Sequence, residues 1–173
     1  MLPAQLRRQD VAIAHDDGEQ IIEIVRDASG ETPDRLHFLR LPKLALALHE
    51  GFFRDFGITP ERFAATRPSP TCAGYSDFLV ATAYQHPFAI AVAALLPCFQ
   101  IYYEVGRHLY GTATSPNPYQ RWIDTYRDEA FGASVREVLA HTDEAFAGAA
   151  EGDRRLMREG YLKAVRYEWM FWD

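Results

Sequence analysis

Cysteine is scarce in this chain: 173 residues contain two, Cys72 and Cys98. A disulfide framework of the kind that staples small secreted domains is therefore excluded. There is no Gly-rich phosphate loop, no Gly-x-Ser-x-Gly elbow and no Cys-x-x-Cys pair, which removes the common nucleotide, hydrolase-fold and redox readings. Positive charge is also short. Lys and Arg number 18 against 24 Asp and Glu, a net charge of −6, and no basic patch with interleaved aromatics points to nucleic acid. Long apolar runs are missing as well. The run from Ala89 to Phe99 stops at Gln100, short of the ~20 apolar residues a membrane-spanning helix needs. The opening residues carry no apolar core of a signal peptide. The expectation is a cytoplasmic protein with free thiols and no membrane partner. Strand signals are weak too, with no sustained alternation of Val, Ile and Thr and no Asn-Gly turn.

What is present is helical. The length suits one domain, residues 1–173, and 48% hydrophobic content supplies a core. Pro42 to Phe56 reads as a helix with Leu46, His49 and Phe53 along one side, ended by Gly57. Thr59-Pro60 opens a short helix as N-cap and first residue. Thr71 to Tyr84 is the next. Pro87 starts a long helix to about Tyr110, apolar nearly all round in its first half and so expected at the centre, with Pro97 loosening a turn. Asn117-Pro118 caps a helix carrying Trp122, Ile123 and Tyr126. Ser134 to Ala149 shows the stripe Val135, Val138, Leu139, Thr142 and Phe146. Gly152 is expected to break the chain before a last helix, Asp153 to Trp172. Gln20 to Asp27 fits either helix or strand. The fold class expected is all-α.

Two residues stand out for their surroundings. Glu168 lies in the run Tyr167-Glu168-Trp169-Met170-Phe171-Trp172, and on a helix Val165, Phe171 and Trp172 are its neighbours. A carboxylate among aromatics is desolvated, which raises its pKa towards the range useful for acid catalysis. Cys98 sits on an equally apolar segment, one helical turn before Tyr102. If the two share a cavity they form a covalent-catalysis pair. The plain alternatives are a cysteine that fills core space and a glutamate that faces a solvated groove or pairs with Arg166 or Arg121. His49-Glu50 invites a metal reading, but neighbours in sequence point to different faces of a helix and no second histidine lies four positions away. No metal site is assigned, and structural or surface roles suit all six histidines better.

The segment Leu95-Leu96-Pro97-Cys98-Phe99-Gln100-Ile101-Tyr102-Tyr103-Glu104-Val105-Gly106 resembles the central motif of the thiaminase II (TenA) family. Asn117 to Tyr126 resembles its next motif, and Arg166-Tyr167-Glu168-Trp169-Met170-Phe171-Trp172-Asp173 its C-terminal one. Glu50 to Ile58 and Tyr75 to Leu79 fit upstream. The resemblance spans roughly Leu44 to Asp173. It implies a haem-oxygenase-like helical bundle, a homotetramer, no cofactor, and hydrolysis of 4-aminopyrimidines bearing a leaving group on the 5-methylene. Salvage of aminomethylpyrimidine with release of ammonia is one such reaction, and cleavage of thiamin another. It also implies roles: Cys98 as nucleophile, Glu168 as the acid that protonates a ring nitrogen, and Tyr102 hydrogen-bonding near the reacting centre. Tyr75 and Tyr126 would line the leaving-group and water side, Phe171 would pack on the pyrimidine, and Asp10 would bind its amino group. The chain departs from the pattern in residues 1–40. Ile13 stands where a tyrosine is expected, and by that pattern the expectation is that about one opening helix is missing before Leu2. That departure favours, as alternative, a non-catalytic or regulatory pyrimidine binder. A metal-dependent oxidase using His49 and Glu50 is the other alternative.

Overall fold

The structure is a computed structural model that describes residues 41–172. Among them are seven helices and no strand. They are α1 (Leu41–Asp55), α2 (Pro60–Ala64), α3 (Pro70–Gln85), α4 (Phe88–Thr112), α5 (Gln120–Arg127), α6 (Glu129–Gly148) and α7 (Glu151–Trp172). The all-α expectation holds for these residues. The stretch Gln20 to Asp27 and the proposed missing helix lie outside them.

Local chemistry explains most of the boundaries. Gly57 adopts φ 62°, a left-handed conformation that only glycine takes without strain. Its N–H donates to Arg54 O at 3.2 Å and the N–H of Ile58 donates to Phe53 O at 2.8 Å, the paired bonds of a Schellman stop. Thr59 and Ser69 are N-caps, each followed by proline at the first helical position, and Ser69 Oγ accepts from the N–H of Cys72 at 3.1 Å. Asp128 caps α6 by accepting from the N–H of Ala130 at 2.8 Å, so that helix begins five residues before the expected Ser134. Gly152 does not break the chain. It lies in the exposed first turn of α7, where a glycine costs little, and the break falls at Ala149, which leaves α6 with extended backbone.

Helix α4 is the axis of the bundle, packed by α7, α5, α6 and α3. Residues Ile90 to Pro97 are all buried, as the all-round apolar pattern predicted. By length and composition α4 meets the requirement for crossing a bilayer, since it runs on past the apolar stretch that the sequence suggested was too short. Half of that apolar window is buried inside the bundle, which is the position of a core helix. In α1 the buried pair is Leu48 and Phe52. His49 and Phe53, one position further along, are half-buried beside that pair. Arg121 of α5 ties α1 in place, its guanidinium bonded to Asp55 and lying 4.9 Å over the Phe52 ring.

Candidate active site

Glu168 is among the largest fully buried side chains, 2% exposed. It points from α7 towards α4, and burial lifts its pKa from 4.5 to about 7, partly offset by the hydroxyl of Tyr75 on α3. Among the described residues no cation figures in the groups that act on it. Arg121, one candidate partner, is engaged with Asp55, and Arg166 is exposed.

The sulfur of Cys98 lies close enough to this carboxyl for a thiolate there to feel its charge. Burial first, and then the negative charge of Glu168, push the Cys98 thiol well above its ordinary value. Tyr75, Tyr102 and Tyr126 are all raised too, by burial first and then by Glu168 and Cys98. Five of the sequence-predicted site residues, from four different helices, therefore converge. Cys98, Tyr75 and Tyr102 each retain accessible surface although each lies deep within the fold. Their side chains border the space where the four helices meet.

Aromatic rings wall this space. Tyr102 sits 5.0 Å from Tyr126, 5.8 Å from Trp122 and 5.6 Å from Trp172, ring centre to ring centre. Such tilted packing is favourable beyond its area. Gly106 makes the convergence possible. A Cβ there would come within 2.9 Å of the backbone of Tyr126 and Arg127, so only glycine lets α4 and α5 approach closely enough to seat Tyr126 beside Tyr102. Two polar atoms in the wall, Tyr75 Oη and Trp172 Nε1, are buried without a full hydrogen bond. Tyr75 Oη is near enough to Glu168 to favour its charged form, yet that contact falls short of hydrogen-bond geometry. A buried donor left unmet costs roughly 1–3 kcal/mol.

Phe171 joins the wall through Trp172, its ring edge-on at 6.1 Å. Asp10 and Ile13 lie outside the described residues. Among those described, no three of His, Cys, Asp and Glu gather as a metal ion would require. Sequence reading missed two neighbours of the site. Cys72 on α3 reaches Tyr102, and Tyr167 stacks on Tyr75. A heptad-like check of Glu168's own neighbours would not have found either, since both contacts cross between helices.

A family model described as TENA/THI-4/PQQC matches residues 12–173, reaching nearer the N-terminus than the motifs suggested. The aminopyrimidine aminohydrolase of Bacillus subtilis is 35% identical over 127 residues, covering 73% of this chain and 54% of that protein. The thiamine biosynthesis multifunctional protein ThiED of Corynebacterium efficiens is 36% identical over 106 residues, covering 61% of this chain and 14% of that one. The chain thus spans about half the length of the first of these curated relatives and much less of the second. Among solved structures, a TenA homologue from Pyrococcus furiosus superposes with a TM-score of 0.83 at 17% identity, over 96% of this chain and 81% of that one. A protein from Silicibacter sp. TM1040, titled a TenA family transcription regulator, gives 0.81 at 24%, over 95% and 77%. These last two likenesses concern the fold, a helical bundle of the haem-oxygenase-like type.

Proposed function

The chain belongs to the TENA/THI-4/PQQC family, and from that premise we propose that it hydrolyses 4-amino-5-aminomethyl-2-methylpyrimidine to the hydroxymethylpyrimidine and ammonia, a thiamin-salvage reaction. The observation that carries the reading is the buried Glu168 carboxyl, with no cation acting on it among the described residues, set against the Cys98 thiol. A structural role gives no reason to keep a carboxylate there, because burial makes it costly. The relative named aminopyrimidine aminohydrolase supports the substrate class.

The chemistry follows from the charges. With Glu168 protonated, the negative charge opposing ionisation of Cys98 is gone. The sulfur adds to a ring carbon of the pyrimidine as the Glu168 proton passes to a ring nitrogen. The ring electrons then return and expel the amine from the 5-methylene, and the amine leaves with the thiol's proton. Water adds its oxygen to the exocyclic methylene, the carbon–sulfur bond breaks, water's spare proton restores the Cys98 thiol, and the ring proton returns to Glu168. A pKa of about 7 serves both halves, since the group gives and regains a proton near neutral pH. Tyr102 and Tyr126 hold the flat ring, and Trp172 Nε1 and Tyr75 Oη offer it polar contacts. Thiamin, whose thiazolium is the alternative leaving group, is a second substrate under the same chemistry.

Cys98→Ala should lower ammonia release from aminomethylpyrimidine by about 10³-fold or more while thermal unfolding stays near that of the parent. Undiminished release in that variant overturns the proposal. A regulatory or purely binding role is the competing reading, favoured by the departure at Ile13. Micromolar binding of aminomethylpyrimidine with no ammonia formed would decide for it. The homotetramer is carried over with the function, and light scattering of the purified chain tests it, a monomer mass counting against.

A further inference from the structure

We propose that Tyr167 is a positioning residue that holds the Tyr75 ring so that its hydroxyl faces the Glu168 carboxyl. Tyr167 precedes Glu168 on α7, so it points to a different face of the helix and takes no part in the chamber itself. Its ring lies nearly parallel to that of Tyr75, 5.3 Å apart with 12° between planes. On the same ring Phe78, one turn further along α3, stacks at 5.8 Å and 26°, and Lys163 Nζ sits 4.4 Å over Phe78. The other wall of the slot is backbone. A Cβ added at Gly74 would lie 3.4 Å from the Tyr167 hydroxyl and 3.5 Å from Cε1, ordinary contact distances, so a side chain larger than a methyl crowds the ring there.

The slot leaves Tyr167 little room to turn, and through the stack it restrains Tyr75. Tyr75 has no full hydrogen bond to fix its hydroxyl, so ring packing is what directs it. Among the described residues, the titratable groups facing Glu168 are Tyr75 from α3, Cys98 and Tyr102 from α4, and Tyr126 from α5. Of these, Tyr75 is the one that favours the ionised carboxyl. Releasing Tyr75 removes that support, and the carboxyl holds its proton to higher pH.

The inference rests on Glu168 being the acid of the proposed reaction, but its readout is titration, so the two fail separately. In protein labelled with ¹³C at glutamate side chains, the Glu168 carboxyl resonance is assigned by its loss in Glu168→Gln and followed against pH. Tyr167→Leu should move its midpoint to higher pH, with ionisation weakened by up to about tenfold, as the loss of a nearby hydroxyl dipole from a buried carboxylate allows. Tyr167→Phe keeps the stack and should titrate like the parent. Tyr75→Phe should reproduce the shift, and adding Tyr167→Leu to it should shift the midpoint no further, since both act through one contact. If Tyr167→Leu fails to fold, Gly74→Val crowds the same slot from the opposite side and should give the same upward shift. A parental midpoint in the folded Tyr167→Leu or Gly74→Val protein overturns the proposal, as does an additive shift in the double variant.

Discussion

Helices α4 and α7 run side by side, and the two halves of their seam are chemically opposite. In the first half Ile90, Ala93 and Ala94 meet Met157, Gly160 and Ala164, with the Ala94 methyl 3.5 Å from where a Cβ on Gly160 would stand. Everything there is small or aliphatic, and nothing ionises. In the second half Cys98 and Tyr102 meet Glu168 and Trp172. Tyr161, donating to Gln100 Oε1 at 3.1 Å, marks the changeover. The first half does what cores ordinarily do. The second keeps a carboxylate where water cannot reach it, at a cost in stability that the first half must offset. A fold that held α4 against α7 for stability alone would use the first kind of packing throughout.

The sharpest way to test that contrast is Glu168→Gln, for which activity and stability should move in opposite directions. Turnover should fall by about 10²–10⁴-fold, the usual worth of a positioned acid. Stability should rise at alkaline pH. The folded pKa of Glu168 is raised from 4.5 to about 7, so the folded state binds the proton more tightly than the unfolded one between those values. Its contribution is therefore fully present below pH 4.5 and lost as pH rises through 7, by up to about 3 kcal/mol. Denaturant melts of parent and variant at pH 4 and pH 8 check the sign. A variant less stable than the parent at pH 8 breaks the contrast. The parent's activity should fall as pH rises through the same group.

Met157→Ala in the first half is the complement. Met157 is 2% exposed, and truncation should cost about 2–5 kcal/mol, read from the urea midpoint. Activity per folded molecule should be unchanged. A shifted pH–rate profile in that variant would show that the two halves are coupled rather than distinct. Tyr102→Phe should have the smallest effect of the three. It keeps the ring contacts with Trp122, Tyr126 and Trp172 and loses only a hydroxyl, so stability should move by less than about 1.5 kcal/mol. Turnover should drop about tenfold, measured as ammonia release at saturating aminomethylpyrimidine.

The helices were legible because their ends carry local chemistry. Thr59-Pro60, Ser69-Pro70 and Gly57 each act on their own backbone within a few residues, and periodicity filled in the rest. The errors fell where the local signal was shared or absent. Asp128 is one polar residue among several, so its capping of α6 was hidden, and Gly152 mimics a break because composition does not tell a first turn from a loop. Which face of α1 is buried was not legible, as the choice between His49 and Leu48 depends on the partner helices. In the site, Cys98 and Tyr102 were paired by their spacing on one helix, whereas Tyr167 and Cys72 were overlooked because their contacts lie on α3 and α4, far away in sequence.

The order of residues alone settled that the chain is helical, that α4 is its axis, and that Glu168 sits on an apolar face, because spacing along one helix follows from backbone geometry. It also carried the family motifs. What needed the tertiary structure was the meeting of four helices around one carboxyl. The pKa of Glu168 depends on how much water is removed and on which hydroxyls and sulfur remain nearby, and those are properties of packing between segments that no local pattern encodes.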